Sequence, residues 1–140
     1  MEVEDTTVID RPLAVVWDFY AVHHVENHPR WDPDMRLEQV TDGPIGVGTV
    51  IRRRNTRFGT PVDGTMEVVE FEPETAMGVR IDDSGTEMIG LGTLVAEGPD
   101  RTRLTIRVEI PGADPSMVER LAPFVKRTVD TIKRLVEAEG

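Results

Sequence analysis

Two patterns in succession constrain this chain most. Apolar and polar residues alternate through short segments from about residue 35 to 110, and one long amphipathic helix then closes the sequence. The clearest segment, Leu104-Thr105-Ile106-Arg107-Val108-Glu109-Ile110, puts four aliphatic side chains on one face and three polar ones on the other, the pattern of a half-buried strand. The closing segment aligns Met117, Leu121, Val125, Thr128, Ile132 and Leu135 or Val136 on one helical stripe, opposite Glu119, Lys126, Asp130, Lys133 and Glu137. Asp114 can cap this helix and Pro115 suits its first turn. Pro123 removes an internal hydrogen bond and predicts a kink or a restart. At 1.5 Å per residue the span 115–138 reaches roughly 36 Å, so it needs a sheet to lie against.

Turn signals at Asp42-Gly43-Pro44, Gly59-Thr60-Pro61, Glu72-Pro73-Glu74, Asp82-Asp83-Ser84-Gly85 and Gly98-Pro99-Asp100 divide the middle of the chain. They leave strands at 35–41, 47–57, 62–71, 75–81, 86–96 and 102–110, and a further strand covers 2–9. Pro12 fits the first turn of a helix whose stripe is Leu13, Val16, Trp17 and Tyr20. A second short helix covers 22–28 and ends there, because Pro29 biases His28 away from helical geometry. Strand, two short helices, six strands and a terminal helix is an α+β order in which an antiparallel sheet curls around the last helix. Residues 1–140 read as a single domain.

Composition excludes several classes of function. The chain has 140 residues and no cysteine, so it is long enough for a real core but has no thiol nucleophile, disulfide or zinc–thiolate site. Its formal net charge of −10 disfavours nucleic acid and anionic membrane surfaces as partners. The acidic start Met1-Glu2-Val3-Glu4-Asp5 is unlike a signal peptide, and no apolar run approaches the ~18 residues of a membrane span. These features imply a soluble, cytoplasmic protein, monomer or homodimer. Gly43-x-x-Gly46-x-Gly48 leads into a strand-like segment, where a phosphate-binding loop requires a helix, and no motif for another cofactor is present.

Local signatures sharpen the fold. Arg11-Pro12 before Val16-Trp17, Trp31-Asp32-Pro33, Gly46-Val47-Gly48-Thr49, Glu70-Phe71-Glu72-Pro73 and the terminal helix together resemble the polyketide cyclase/dehydrase branch of the START-like (SRPBCC) superfamily. The resemblance spans nearly the whole chain. It implies the helix-grip fold, in which a curved sheet and the terminal helix enclose an apolar cavity rimmed by the short helices. That superfamily includes lipid carriers, hormone receptors, cyclases and chaperone cofactors, so fold alone does not name the activity.

The site candidates stand on their own chemistry. His23, His24 and His28 are the only groups with an ordinary pKa near neutrality, and His24 and His28 share a helix face. That spacing is also a metal half-site to which Asp32 could add an oxygen, but His-Glu-x-x-His is absent and Pro29 disrupts the geometry, so no metal is assigned. Trp17 is expected in the core, whereas Trp31 and Tyr20 suit either packing or contact with a flat ligand. Met66, Met77, Met88 and Met117 fit an adaptable pocket or an ordinary core. In Arg52-Arg53-Arg54, alternation sends Arg53 inward with Thr49, Ile51 and Asn55 if Ile51 faces the core. An inward guanidinium needs Glu67, Glu70 or Glu87, or else a ligand carboxylate or phenolate. Gly90 and Gly92 share a strand face and suit a bend or a close approach.

The sequence thus predicts a cavity lined by Tyr20, His24, His28, Trp31, Arg53, Met66, Met88 and Phe124 that binds a small hydrophobic or aromatic molecule. The alternatives are a cyclase or dehydratase using His28, Tyr20 and an inward arginine, and a protein-interaction or co-chaperone module.

Overall fold

A computed structural model describes residues 1–57 and 59–139. Seven strands form one antiparallel sheet: β1 (Glu2–Ile9), β2 (Met35–Gln39), β3 (Val50–Asn55), β4 (Val62–Glu72), β5 (Ala76–Asp83), β6 (Thr86–Ala96) and β7 (Thr102–Glu109). Their order is β1-β7-β6-β5-β4-β3-β2. Consecutive strands β1 and β2 therefore lie at opposite edges, and the chain between them must cross the open side of the sheet. That crossing is made by α1 (Leu13–Trp17), a π-helical turn (Asp18–Val22) and α2 (His24–Trp31).

The alternation works as the sequence predicts. Leu104, Ile106 and Ile110 are buried with Val108 half-buried, while Ile51, Arg53 and Asn55 all face inward. Ser84 and Gly85 form the two-residue β5–β6 turn, both with positive φ (53° and 96°), the geometry that matches strand twist in a tight hairpin. A register shift between Val68 and Glu70 strengthens the local twist of β4, which helps the sheet to curl.

The terminal helix α3 (Pro115–Glu139) buries Leu121, Val125, Thr128, Val129, Ile132 and Val136 against the sheet. Asp114 caps it, with Oδ1 accepting from the Met117 amide at 3.0 Å. Its far end is tied to the end of β1: the Lys133 ammonium donates to the Val8 carbonyl at 2.6 Å, the Asp10 amide donates to Glu137 Oε2 at 2.8 Å, and Arg11 reaches the Glu137 carbonyl. Trp17 is in the core, its ring centroid 5.2 Å from that of Phe71.

Three local expectations are corrected. The helix of the second half of the insert does not end at His28 but runs through Pro29 to Trp31, closed by the Asp32 amide donating to the His28 carbonyl at 3.0 Å. Burial of Trp31, 6% exposed, outweighs the local preference against helix before proline. Of the kink or restart expected at Pro123, the restart does not occur, since α3 is continuous. Pro123 and Glu119 are on the exposed face, where water can satisfy the carbonyl that proline leaves without a donor. Pro12 sits at the N-cap of α1, one place before the first helical turn, and the stripe to Tyr20 is completed through the π-helical turn rather than one regular helix.

Candidate functional site

Between the concave face of the sheet, the inner face of α3 and the crossing insert lies a cavity of about 120 Å³. Tyr20, His24, His28, Trp31, Arg53, Met66, Met88 and Phe124 all line it. The insert supplies the aromatic wall because Tyr20, His24, His28 and Trp31 follow one another at three- and four-residue steps. His28 stacks on Trp31 (5.2 Å between centroids, 17° between planes), and Tyr20 stacks on the same indole at 5.9 Å and 22°. Continuation of α2 through Pro29 makes this cluster, because it keeps Trp31 one turn beyond His28. Asn27 Nδ2 and His24 Nδ1 donate to the Phe19 and Tyr20 carbonyls at 2.9 and 2.8 Å, fastening α2 to the π-helical turn. Tyr20 lies close over Gly92, where any Cβ would collide with its hydroxyl; the close approach to this glycine is by Tyr20.

Arg53 is 5% exposed, and its partner is Asp83, not Glu67, Glu70 or Glu87. Nε lies 3.0 Å from Asp83 Oδ1, and Nη2 donates to Oδ2 at 3.1 Å. Register explains the choice: Arg53 sits opposite Gly64, which sits opposite Asp83, so the two groups meet across a residue with no side chain. A Cβ at Gly64 would strike the Asp83 carboxylate. Glu67 belongs to the outer face, where it accepts from Arg80 at 2.9 Å. Beside this pair, Arg57 Nη2 donates to Asp32 Oδ2 at 2.9 Å, and its guanidinium carbon sits 3.7 Å from the centre of the Phe124 ring.

Burial sets the protonation of the aromatic wall. Desolvation pulls His24 down to about 4 against the opposing backbone hydrogen bond to Tyr20. Desolvation, the neighbouring His24 and the Arg53 and Arg57 charges hold His28 well below its ordinary value. Desolvation raises Tyr20 above the usual phenol range. Both histidines are thus neutral, and Tyr20 protonated, at neutral pH. Their nitrogens do not converge on an ion: His24 Nε2 and His28 Nδ1 are 3.0 Å apart, bonded to each other. Among the described residues no group of three histidine, aspartate or glutamate side chains is placed to hold a metal.

Residues 1–137 match the family described as polyketide cyclase / dehydrase and lipid transport. The chain belongs to that family. Solved structures show the same fold at low identity. DynU16, a protein in the dynemicin biosynthetic locus, is 23% identical with a TM-score of 0.75 over 99% of this chain and 48% of its own, so this chain spans about half of DynU16. The Zhui aromatase/cyclase from Streptomyces sp. R1128 is 18% identical with a TM-score of 0.75, covering 99% of this chain and 94% of its own. Ara h 8.0201 is 17% identical with a TM-score of 0.74, covering 99% and 98% respectively. No curated protein matches by sequence. Membership in the polyketide cyclase / dehydrase and lipid transport family agrees with the START-like signatures and supports a ligand-binding or cyclase role. Among the described residues no helix is long and apolar enough to cross a membrane.

Within this family member, sequence reasoning misses Asp83 and the Arg57–Phe124 contact. The first was legible only with the β4–β5 register, which brings Gly64 between the two charges. The second joins the loop after β3 to α3 and leaves no trace in local periodicity.

Proposed function

We propose that the protein binds a small hydrophobic or aromatic molecule in the cavity between sheet and α3. The supporting observation is the lining itself: aromatic rings, thioethers and aliphatic side chains, with a few polar groups gathered at His24, His28, Asp32, Arg53 and Arg57, the composition usual for small-molecule sites. The volume of about 120 Å³ is close to the ~150 Å³ of an apolar void that takes up benzene, which favours a ligand with one substituted ring. Native mass spectrometry of protein purified from its own host tests this. A co-purifying small molecule, lost when Met88→Trp fills the cavity, is the expected result. A protein with no bound mass that also fails to bind substituted benzenes overturns it.

A second reading has its own support. His28 and Tyr20 line one cavity, as a cyclase or dehydratase would require, although burial makes the imidazole a weaker base and the phenol a weaker acid than in water. Multiple turnovers of an aromatising polyketone, abolished by His28→Gln, would make this the better reading. The name of the Zhui aromatase/cyclase lends it analogy only.

A further inference from the structure

The direction of every hydrogen bond in the histidine pair is fixed by one backbone carbonyl. The Tyr20 carbonyl oxygen can only accept, so His24 Nδ1, 2.8 Å away, must carry its proton. A neutral His24 then has a bare Nε2, which accepts from His28 Nδ1 at 3.0 Å. A neutral His28 in turn has a bare Nε2, and this is the end of the relay. The carboxylate beside it, Asp32 Oδ2, is at 4.0 Å, too far for a direct bond, and is itself an acceptor engaged by Arg57. No donor among the described residues reaches His28 Nε2. Among the described residues, His28 Nε2 is thus an acceptor open to whatever fills the cavity, water or ligand.

Charge on the other groups narrows the ligand further. Both guanidiniums at the cavity have carboxylates, Arg53 with Asp83 and Arg57 with Asp32, so an anionic ligand meets no surplus cation and would face a bare imidazole nitrogen and Asp32. The Trp31, Tyr20 and Phe124 rings with Met66 and Met88 favour a flat π system. We infer that the cavity takes a neutral molecule bearing a phenolic or enolic hydroxyl, and that His28 Nε2 accepts the hydrogen bond from that hydroxyl. His28 is then the specificity-determining residue of the ligand site proposed above, on which this inference rests.

Two measurements test it. In ¹⁵N NMR of the free protein at pH 7.5, His24 and His28 should each show a protonated Nδ1 and a bare Nε2; a protonated Nε2 on His28 overturns the inference whatever binds. Titration with 4-ethylphenol, 4-ethylanisole, ethylbenzene and 4-ethylbenzoate reads the selectivity. The phenol should bind about two- to tenfold more tightly than its methyl ether, the range expected for one neutral hydrogen bond, and should shift the His28 Nε2 resonance. His28→Phe should abolish that preference while ethylbenzene still binds. If that variant does not fold, the tautomer and the shift on binding remain decisive. Equal binding of phenol and ether, or tighter binding of the benzoate, overturns the hydroxyl assignment and leaves the cavity reading intact. Binding of none of the four overturns both.

Discussion

Replacing Asp83 by asparagine removes one charge from a buried pair with almost no change in shape. Arg53 would then keep a full positive charge at 5% exposure, with the Met66 thioether, 3.7 Å from Nη1, as a weak neighbour. Breaking a buried pair from one side costs about 3–5 kcal/mol, and the adjoining cavity can admit water, which favours the lower end, about 3 kcal/mol. An unfolding entropy of about 2.1 cal/mol/K per residue gives about 0.3 kcal/mol/K for a chain of this length, so melting should fall by about 10 °C. Thermal unfolding followed by circular dichroism at pH 7.5 is the assay. Asp63→Asn, which breaks the exposed pair that Asp63 on β4 makes with Arg54, the residue after Arg53 on β3, should leave melting unchanged. The double substitution Arg53→Met with Asp83→Leu should recover part of the loss, because it removes the stranded charge but leaves the buried Asn55 Nδ2, which donates to Asp83 at 3.3 Å, without its acceptor. An Asp83→Asn protein melting within about 2 °C of the parent, or a double variant showing the sum of both single losses, would refute the reasoning.

Two further outcomes follow from the cavity wall. Because the folded protein holds His24 near 4 while an unfolded histidine titrates near 6.5, the unfolded chain binds more protons between these values; His24's contribution is complete above pH 6.5 and is lost as pH falls towards 4. With desolvation and Arg53 opposing protonation of His24 and the Tyr20 carbonyl and Glu26 favouring it, urea unfolding should show a stability loss of about 2 kcal/mol from His24 between pH 7.5 and 5, with His28 adding in the same direction. The slope should be shallower in His24→Gln, and a flat profile in the parent would contradict the assignment. Gly92→Ala places a methyl group where the Tyr20 hydroxyl lies, so it should cost about 1–3 kcal/mol and change the near-ultraviolet dichroism of the aromatic cluster. Gly90→Ala, which meets the Val79 Cγ2 at 3.3 Å and the Ile81 Cδ1 at 3.8 Å, should be milder; equal effects would mean that Tyr20 is not seated as described.

Legibility in the sequence followed the range of the forces involved. Strand positions, the parity of Leu104 to Ile110 and the apolar stripe of α3 are properties of single segments, and period two or 3.6 displays them directly. The inward direction of Arg53 came from the same parity, and the shared face of His24 and His28 came from helical spacing; the approach of Tyr20 and Trp31 to them depended on the π-helical turn and on α2 continuing past Pro29. What failed was local preference overruled by distant packing. Pro29 reads as a stop, yet burial of Trp31 carries the helix past it. Pro123 reads as a kink or a restart, yet α3 runs through it without restarting.

The sequence by itself determined which elements form and which face of each is apolar, because those depend on the chemistry of neighbours along the chain. Only the tertiary structure decided that Asp83 answers Arg53 through the gap at Gly64, that Arg57 covers Phe124, and that a carbonyl at Tyr20 sets the protons of two histidines. Each of these depends on strand register or helix placement. A one-residue slip of register turns a strand's side chains to the other face, and pairing geometry of that kind is fixed by the whole sheet closing around α3 rather than by any one segment.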